Sequence, residues 1–134
     1  MYKASTQVRV RYAETDQMGY VYYGNYATYY EIARVETLRK LGFSYKALEK
    51  QGVMMPVKDL HSVFHKPATY DELLTIEVAI RSLPSVKMLF EYQIVNQAGD
   101  LINSGSTTLV FIDMERNRPT RAPEAILEVL RPFF

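Results

Sequence analysis

A chain of 134 residues has the length of one domain and can bury about two-thirds of its unfolded surface. Sixteen basic residues against fifteen acidic ones leave no field of one sign to hold nucleic acid, and the absence of cysteine excludes a disulfide framework and thiolate chemistry. The opening MYKASTQVRVRY has no apolar leader and no later run is long enough to span a bilayer, so the expectation is one cytoplasmic domain over residues 1–134, with no nucleic acid and no membrane span.

Residues 7–12, QVRVRY, alternate strictly and predict a half-buried first strand, with Val8, Val10 and Tyr12 on one face and Arg9 and Arg11 on the other. Gly19 and Gly24 break the pattern, and residues 13–24 read as a loop. From Asn25 the period becomes helical. Tyr26, Tyr30, Ala33, Thr37 and Leu41 form one stripe, and Tyr29, Ile32 and Val35 widen it, which predicts a helix over 25–41 enclosed on most sides. Asn25 is the expected N-cap, Arg39 and Lys40 suit the last turn, and Gly42 suits the left-handed stop. A short helix over 44–51 ends at Gly52.

Strands follow. Residues 53–66 carry Pro56, a mark of an edge or a bulge. Leu74, Ile76, Val78 and Ile80 face inward in the next strand, as do Met88, Phe90, Tyr92 and Ile94 in the one after. Gln97-Ala98-Gly99-Asp100 is a hairpin signal, residues 101–113 read as one long last strand, and Pro123 opens a terminal helix to 131. Short turns require antiparallel neighbours, and the sheet must bury one face. The predicted fold is therefore α+β: an antiparallel five-stranded sheet wrapped around one long central helix.

The stretch VRYAETDQMGYVYYGNYATYYEIAR, residues 10–34, resembles the signature of hotdog-fold acyl-CoA thioesterases of the 4-hydroxybenzoyl-CoA thioesterase type. The matching positions are Tyr12, Asp16, Met18-Gly19 and Gly24-Asn25-Tyr26, with weaker matches in PATYDELLTIEV and GSTTLVFID. The resemblance implies hydrolysis of acyl-CoA or aryl-CoA thioesters by a homodimer or homotetramer whose pocket forms between subunits. Coenzyme A is part of the substrate, and no further cofactor or metal is implied. Asp16 is the implied nucleophile or general base. The N–H of Tyr23, then that of Gly24, is the implied oxyanion donor, Tyr12 is a hydrogen-bond partner of the carboxylate or ligand, and Gly24, Asn25 and Tyr26 contact substrate. Many relatives carry histidine seven residues after the aspartate, where this chain has Tyr23; others carry tyrosine there too. A module that only binds acyl-CoA or acyl carrier protein is the alternative, and a dehydratase a weaker one.

Physical chemistry supports the same stretch. A carboxylate can attack a thioester or activate water, and free amides at a helix start can hold the resulting oxyanion. Tyr20, Tyr22 and Tyr23 beside Asp16 offer flat walls with polar tips. Glu14 reads as a solvated loop charge. Glu31 reads as a helix-face partner for Arg34, and the resemblance, since some hotdog thioesterases use a helix glutamate as the acid group, makes it the second-choice catalytic carboxylate. His61 and His65 sit four apart in a strand, too far apart for a shared metal, with His61 able to reach a neighbouring subunit's pocket. Arg116, Arg118 and Arg121 read as a solvated tail or as partners of the CoA phosphates.

Overall fold

The computed structural model describes all residues, 1–134. β1 spans Tyr2–Arg9, followed by a single 3-10 turn at Tyr12–Glu14 and helix α1 at Asn25–Lys40. Helix α2 (Tyr45–Lys50), β2 (Val53–Met54), β3 (Val57–Phe64), β4 (Leu73–Ile80), β5 (Lys87–Val95) and β6 (Leu101–Val110) come next. β7 (Ile112–Asp113), β8 (Arg118–Pro119) and helix α3 (Glu124–Leu130) complete the chain. Five strands form one antiparallel sheet in the order β1-β4-β5-β6-β3, and β2, β7 and β8 form a small second sheet. The helical part is divided among three helices of 16, 6 and 7 residues, where one long helix was expected to dominate.

The alternation in β4 and β5 resolves as predicted. Leu74, Ile76, Val78, Ile80, Met88, Phe90, Tyr92 and Ile94 are all buried under α1, which packs on β1 and β4 and stacks Tyr30 on Tyr92 at 4.3 Å. Tyr30 reaches through the core to hydrogen-bond Ser62 of β3 and Asn103 of β6. Gly105 makes room for it, since a Cβ there would strike the Tyr30 hydroxyl and the His61 carbonyl.

α1 stops where the sequence indicates. Gly42 takes φ +90°, its N–H donates to the Arg39 carbonyl, and the N–H of Phe43 donates to the Leu38 carbonyl at 2.8 Å. Its start differs from expectation. Gly24, not Asn25, is the cap residue, and no side chain caps the helix. The Asn25 amide instead donates to the Glu14 carbonyl at 2.8 Å, which pins the preceding loop to the first turn. α2 is capped by Ser44, whose Oγ accepts the Ala47 N–H at 3.1 Å.

Three strand predictions are corrected. β1 begins and ends earlier than 7–12, because Glu14 folds back to accept the Arg11 N–H and winds Tyr12–Glu14 into a 3-10 turn. Tyr12 thereby leaves the inner face of Val8 and Val10 and is 74% exposed. Pro56 divides 53–66 into β2 and β3, its carbonyl accepting the Val110 N–H. The long last strand breaks at Phe111, whose N–H turns to Val86; β7 then joins the second sheet, which the sequence did not reveal.

β3 is an open edge of the large sheet. Its Val57, Leu60, Val63 and Phe64 are about half exposed.

Candidate active site

The residues from Thr15 to Val21 form a tight loop. The Asp16 N–H donates to the Tyr20 carbonyl at 2.7 Å, Thr15 bridges to Val21, and Gly19 supplies φ +83°. Asp16 Oδ1 accepts the N–H groups of Met18 at 3.0 Å and Tyr20 at 3.1 Å. One oxygen of the carboxylate is therefore spent on building the turn, as an Asx residue would do. Oδ2 has no hydrogen-bond partner in the chain.

Asp16 lines an open cavity of about 420 Å³. Tyr23 and Tyr26 from the entrance of α1 form one wall, and Phe64, His65 and Lys66 from the end of β3 form another. Phe64 meets Tyr26 edge-on at 5.5 Å and Tyr23 at 6.4 Å, and with Tyr20 these rings make much of the lining aromatic, beside Met18 and Val21. Tyr26 is buried, but its hydroxyl finds no partner within the chain. Burial, with smaller contributions from Tyr30 and Glu72, pushes its phenol up to about 12, so it stays protonated at neutral pH and is able to donate.

The uncapped helix start has a direct consequence. The N–H of Asn25 donates to Tyr22 and that of Tyr26 to Tyr23, but the N–H groups of Tyr23 and Gly24 donate to nothing in the chain. Two free donors therefore sit at the positive end of α1. Gly24 has φ −64°, an ordinary helical value; what it lacks is bulk, since a Cβ would lie 2.7 Å from the Tyr22 ring.

Glu14 is the residue whose role the sequence concealed. It is not a solvated charge: it is 6% exposed. Its Oε1 accepts the Arg11 N–H and the Tyr29 hydroxyl, both at 2.9 Å, and its Oε2 accepts both ends of the Arg11 guanidinium fork at 3.0 and 2.8 Å. Its carbonyl takes the Tyr22 N–H and the Asn25 amide, both at 2.8 Å. Burial pulls its carboxyl upward, but the hydrogen bonds from Arg11 and Tyr29 outweigh this and hold it below its ordinary range. Glu14 thus ties the Asp16 loop to α1. The only hint in the sequence is Arg11, three residues earlier.

Tyr12 does not line the cavity. It stacks face to face on Tyr70 at 3.7 Å, because the 3-10 turn carries it away from Asp16. The Asn25 side chain is likewise occupied with the loop carbonyl and does not line the cavity. Glu31 is exposed, and Arg34 turns inward to the hydroxyls of Tyr45 and Tyr92, so the expected pair on the helix face does not form. Arg116, Arg118 and Arg121 lie beyond β7, and none of them lines the cavity. Tyr20, read as a pocket wall, lines the cavity and Tyr22 does not; Phe64, His65 and Lys66 join the site without having been singled out for it.

A five-stranded antiparallel sheet with a helix on one face, and an acid beside free amides at that helix's start, defines an α+β protein of the hotdog class. The Thioesterase-like superfamily model matches residues 10–130, and the chain belongs to that family. It is 35% identical over 125 residues to a putative acyl-CoA thioesterase, YneP, of Bacillus subtilis, covering 93% of this chain and 91% of that protein. It is 34% identical to the acyl-CoA thioester hydrolase YbgC of Escherichia coli over 90% of both chains. The solved structure of a DHNA-CoA thioesterase from Staphylococcus aureus superposes with a TM-score of 0.93 at 36% identity, covering 99% of this chain and 91% of that one.

Proposed function

We propose that the protein hydrolyses acyl-CoA thioesters to the free acid and CoA. Asp16 acts as nucleophile or general base through Oδ2, and the Tyr23 and Gly24 amides receive the oxyanion. The observation that supports this is that Asp16, with one carboxylate oxygen lacking a partner, and Tyr23 line one cavity at a helix entrance whose Tyr23 and Gly24 amides have no acceptor in the chain, although Gly24 itself is not part of the lining. One such donor is worth about 3–4 kcal/mol of barrier. Tyr26 offers its hydroxyl to the bound thioester, and the phenyl faces of Tyr23 and Phe64 flank the acyl or aryl group. CoA enters as part of the substrate, and these residues need no metal or further cofactor for the reaction. The names of the bacterial relatives, acyl-CoA thioesterase and acyl-CoA thioester hydrolase, support the substrate class.

The working unit is a homodimer or a pair of dimers, with the sheet of each subunit curled about its own α1. The open β3 edge, with apolar Leu60, Val63 and Phe64 half exposed, is the surface on which a second copy adds its own β3. Because β3 also borders the Asp16 cavity, each site then lies beside the subunit interface.

The test is a panel of aliphatic and aromatic acyl-CoA substrates followed by release of free thiol. Turnover of at least one, lost in Asp16→Asn, supports hydrolysis. Asp16 Oδ1 serves the loop whether or not chemistry occurs, so the same site would also suit a module that only binds acyl-CoA or acyl carrier protein. Binding of an acyl-CoA with no turnover across the panel would establish that module instead.

A further inference from the structure

We propose that His65 donates the proton that the departing thiol needs. The assignment rests on thioester hydrolysis at the Asp16 cavity. The helix entrance supplies no imidazole, because Tyr23 stands seven residues after Asp16. The fold brings one from elsewhere. Where β3 ends, the N–H groups of His65 and Lys66 both donate to the Ile102 carbonyl, at 2.9 and 3.2 Å. Two residues facing one is a bulge, and a bulge at a strand end re-aims the side chains it carries. His65 and Lys66 consequently border the cavity together with Asp16.

The neighbours of His65 fit the role. Its Nε2 is 2.8 Å from Ser104 Oγ, which holds the ring in one orientation. Lys66, the other basic group on the wall, is engaged by Asp100 at 2.7 Å. The Tyr26 phenol keeps its proton at neutral pH. His65 brings the one imidazole to the cavity lining, and imidazole is the side chain most often used as a general acid. Position agrees in that His65 lines the same cavity as Asp16 and Tyr23.

The step balances. With Asp16 as base, its carboxylate takes a proton from water as the water oxygen bonds to the carbonyl carbon, and the carbonyl electron pair moves to oxygen. When the carbonyl re-forms, the C–S bond breaks with its electron pair on sulfur, and the imidazolium gives its proton to that sulfur. Asp16 and His65 then return to their starting states by exchange with solvent. If Asp16 attacks directly, C–S cleavage and the proton to sulfur are the same, and water opens the anhydride afterwards.

The experiment is His65→Gln in the full chain. Glutamine can still bond to Ser104 but cannot serve as a proton donor of this kind. Two substrates are compared, an acyl-CoA that the wild type cleaves and the thiophenyl ester of the same acid, whose far more acidic thiol leaves without protonation. The expected result is a fall of roughly 100-fold in kcat/KM for the acyl-CoA and less than about threefold for the thiophenyl ester. Equal losses on both, or no loss on either, overturn the role of His65. Asp16→Asn slows both thioesters, so an intact Asp16 effect without the split at position 65 removes His65 alone. A wild type that cleaves no acyl-CoA removes both assignments. Thermal melting checks that His65→Gln is folded, and His65→Asn is the replacement variant if it is not.

Discussion

Asparagine at position 16 separates the two duties of one carboxylate. Oδ1 builds the loop by accepting from Met18 and Tyr20 at 3.0 and 3.1 Å, and an asparagine Oδ1 in the same place accepts the same two N–H groups. Oδ2 has no partner in the chain, so placing an NH₂ there breaks nothing in the fold. It does remove the atom that would attack the carbonyl or take a proton from water. Asp16→Asn is therefore expected to melt within about 2 °C of the wild type, since both loop hydrogen bonds are kept and a change that removes no contact costs about 0.5 kcal/mol or less. Hydrolysis should fall by at least ~100-fold, or about 2.7 kcal/mol of barrier. Asp16→Ala should lose the same activity and also the two loop hydrogen bonds, at about 0.5–1.5 kcal/mol each before water replaces them. The assay is release of CoA thiol, read with a chromogenic disulfide, alongside a thermal melt of each variant. An Asp16→Asn enzyme that works within about threefold of wild type would remove Asp16 from the chemistry, because the smallest effect expected of a lost acid/base group is far larger.

Three further outcomes follow from named contacts. Glu14→Gln should destabilise the fold by about 1–3 kcal/mol, because a buried carboxylate loses its charge-assisted bonds to Arg11. The carboxyl of Glu14 titrates below its ordinary 4.5 in the folded chain, so its contribution is present above that value and is lost as pH falls below it; the gap in melting temperature between wild type and Glu14→Gln should be full at pH 7 and narrow below about pH 4.5. A gap independent of pH would contradict this. Gly105→Ala should cost about 1–3 kcal/mol, seen as a drop of roughly 3–10 °C in melting temperature, because the new methyl meets the Tyr30 hydroxyl and the His61 carbonyl; an unchanged melt would mean that the Tyr30 contact to Asn103 yields freely. Leu60→Lys on the open edge should shift the protein toward monomer in light scattering and lower activity with it, whereas an unchanged mass would reject β3 as the pairing edge.

What the sequence disclosed and what it withheld divide by the range of the interactions involved. The end of α1 was legible because Gly42 acts within its own turn, and the inner faces of β4 and β5 were legible because alternation is a property of neighbours. Asp16, Tyr23 and Tyr26 were placed together by a compact motif, and the structure puts them on one cavity. Tyr12 was misplaced because the alternation of residues 8, 10 and 12 gives no sign of a carboxylate two residues later folding back on Arg11. Glu14 looked like a loop charge because one of its stabilising partners, Tyr29, is fifteen residues away on a helix. His65 was read as half of a rejected metal pair. Its place beside Asp16 depends on a bulge facing Ile102, a contact that spans 37 positions of the chain. The break at Phe111 was hidden for the same reason, since its partner Val86 lies on the far side of a hairpin.

The bare start of α1 leaves the molecule with a debt at position 24. A serine, aspartate or asparagine in a cap position typically adds about 1 kcal/mol to a helix, and selection for heat resistance alone would be drawn to install one there. Gly24→Asp would aim its own oxygen at the helix entrance and crowd the Tyr22 ring, which lies 2.7 Å from where the new Cβ would sit. Such a cap accepts from the second and third helical N–H groups and leaves the Tyr23 and Gly24 amides as they are, but it sets a permanent negative charge beside the place proposed for a transient one. Lineages of this protein that drift toward a sturdier helix at that point should be the ones that have stopped cutting and kept only the grip.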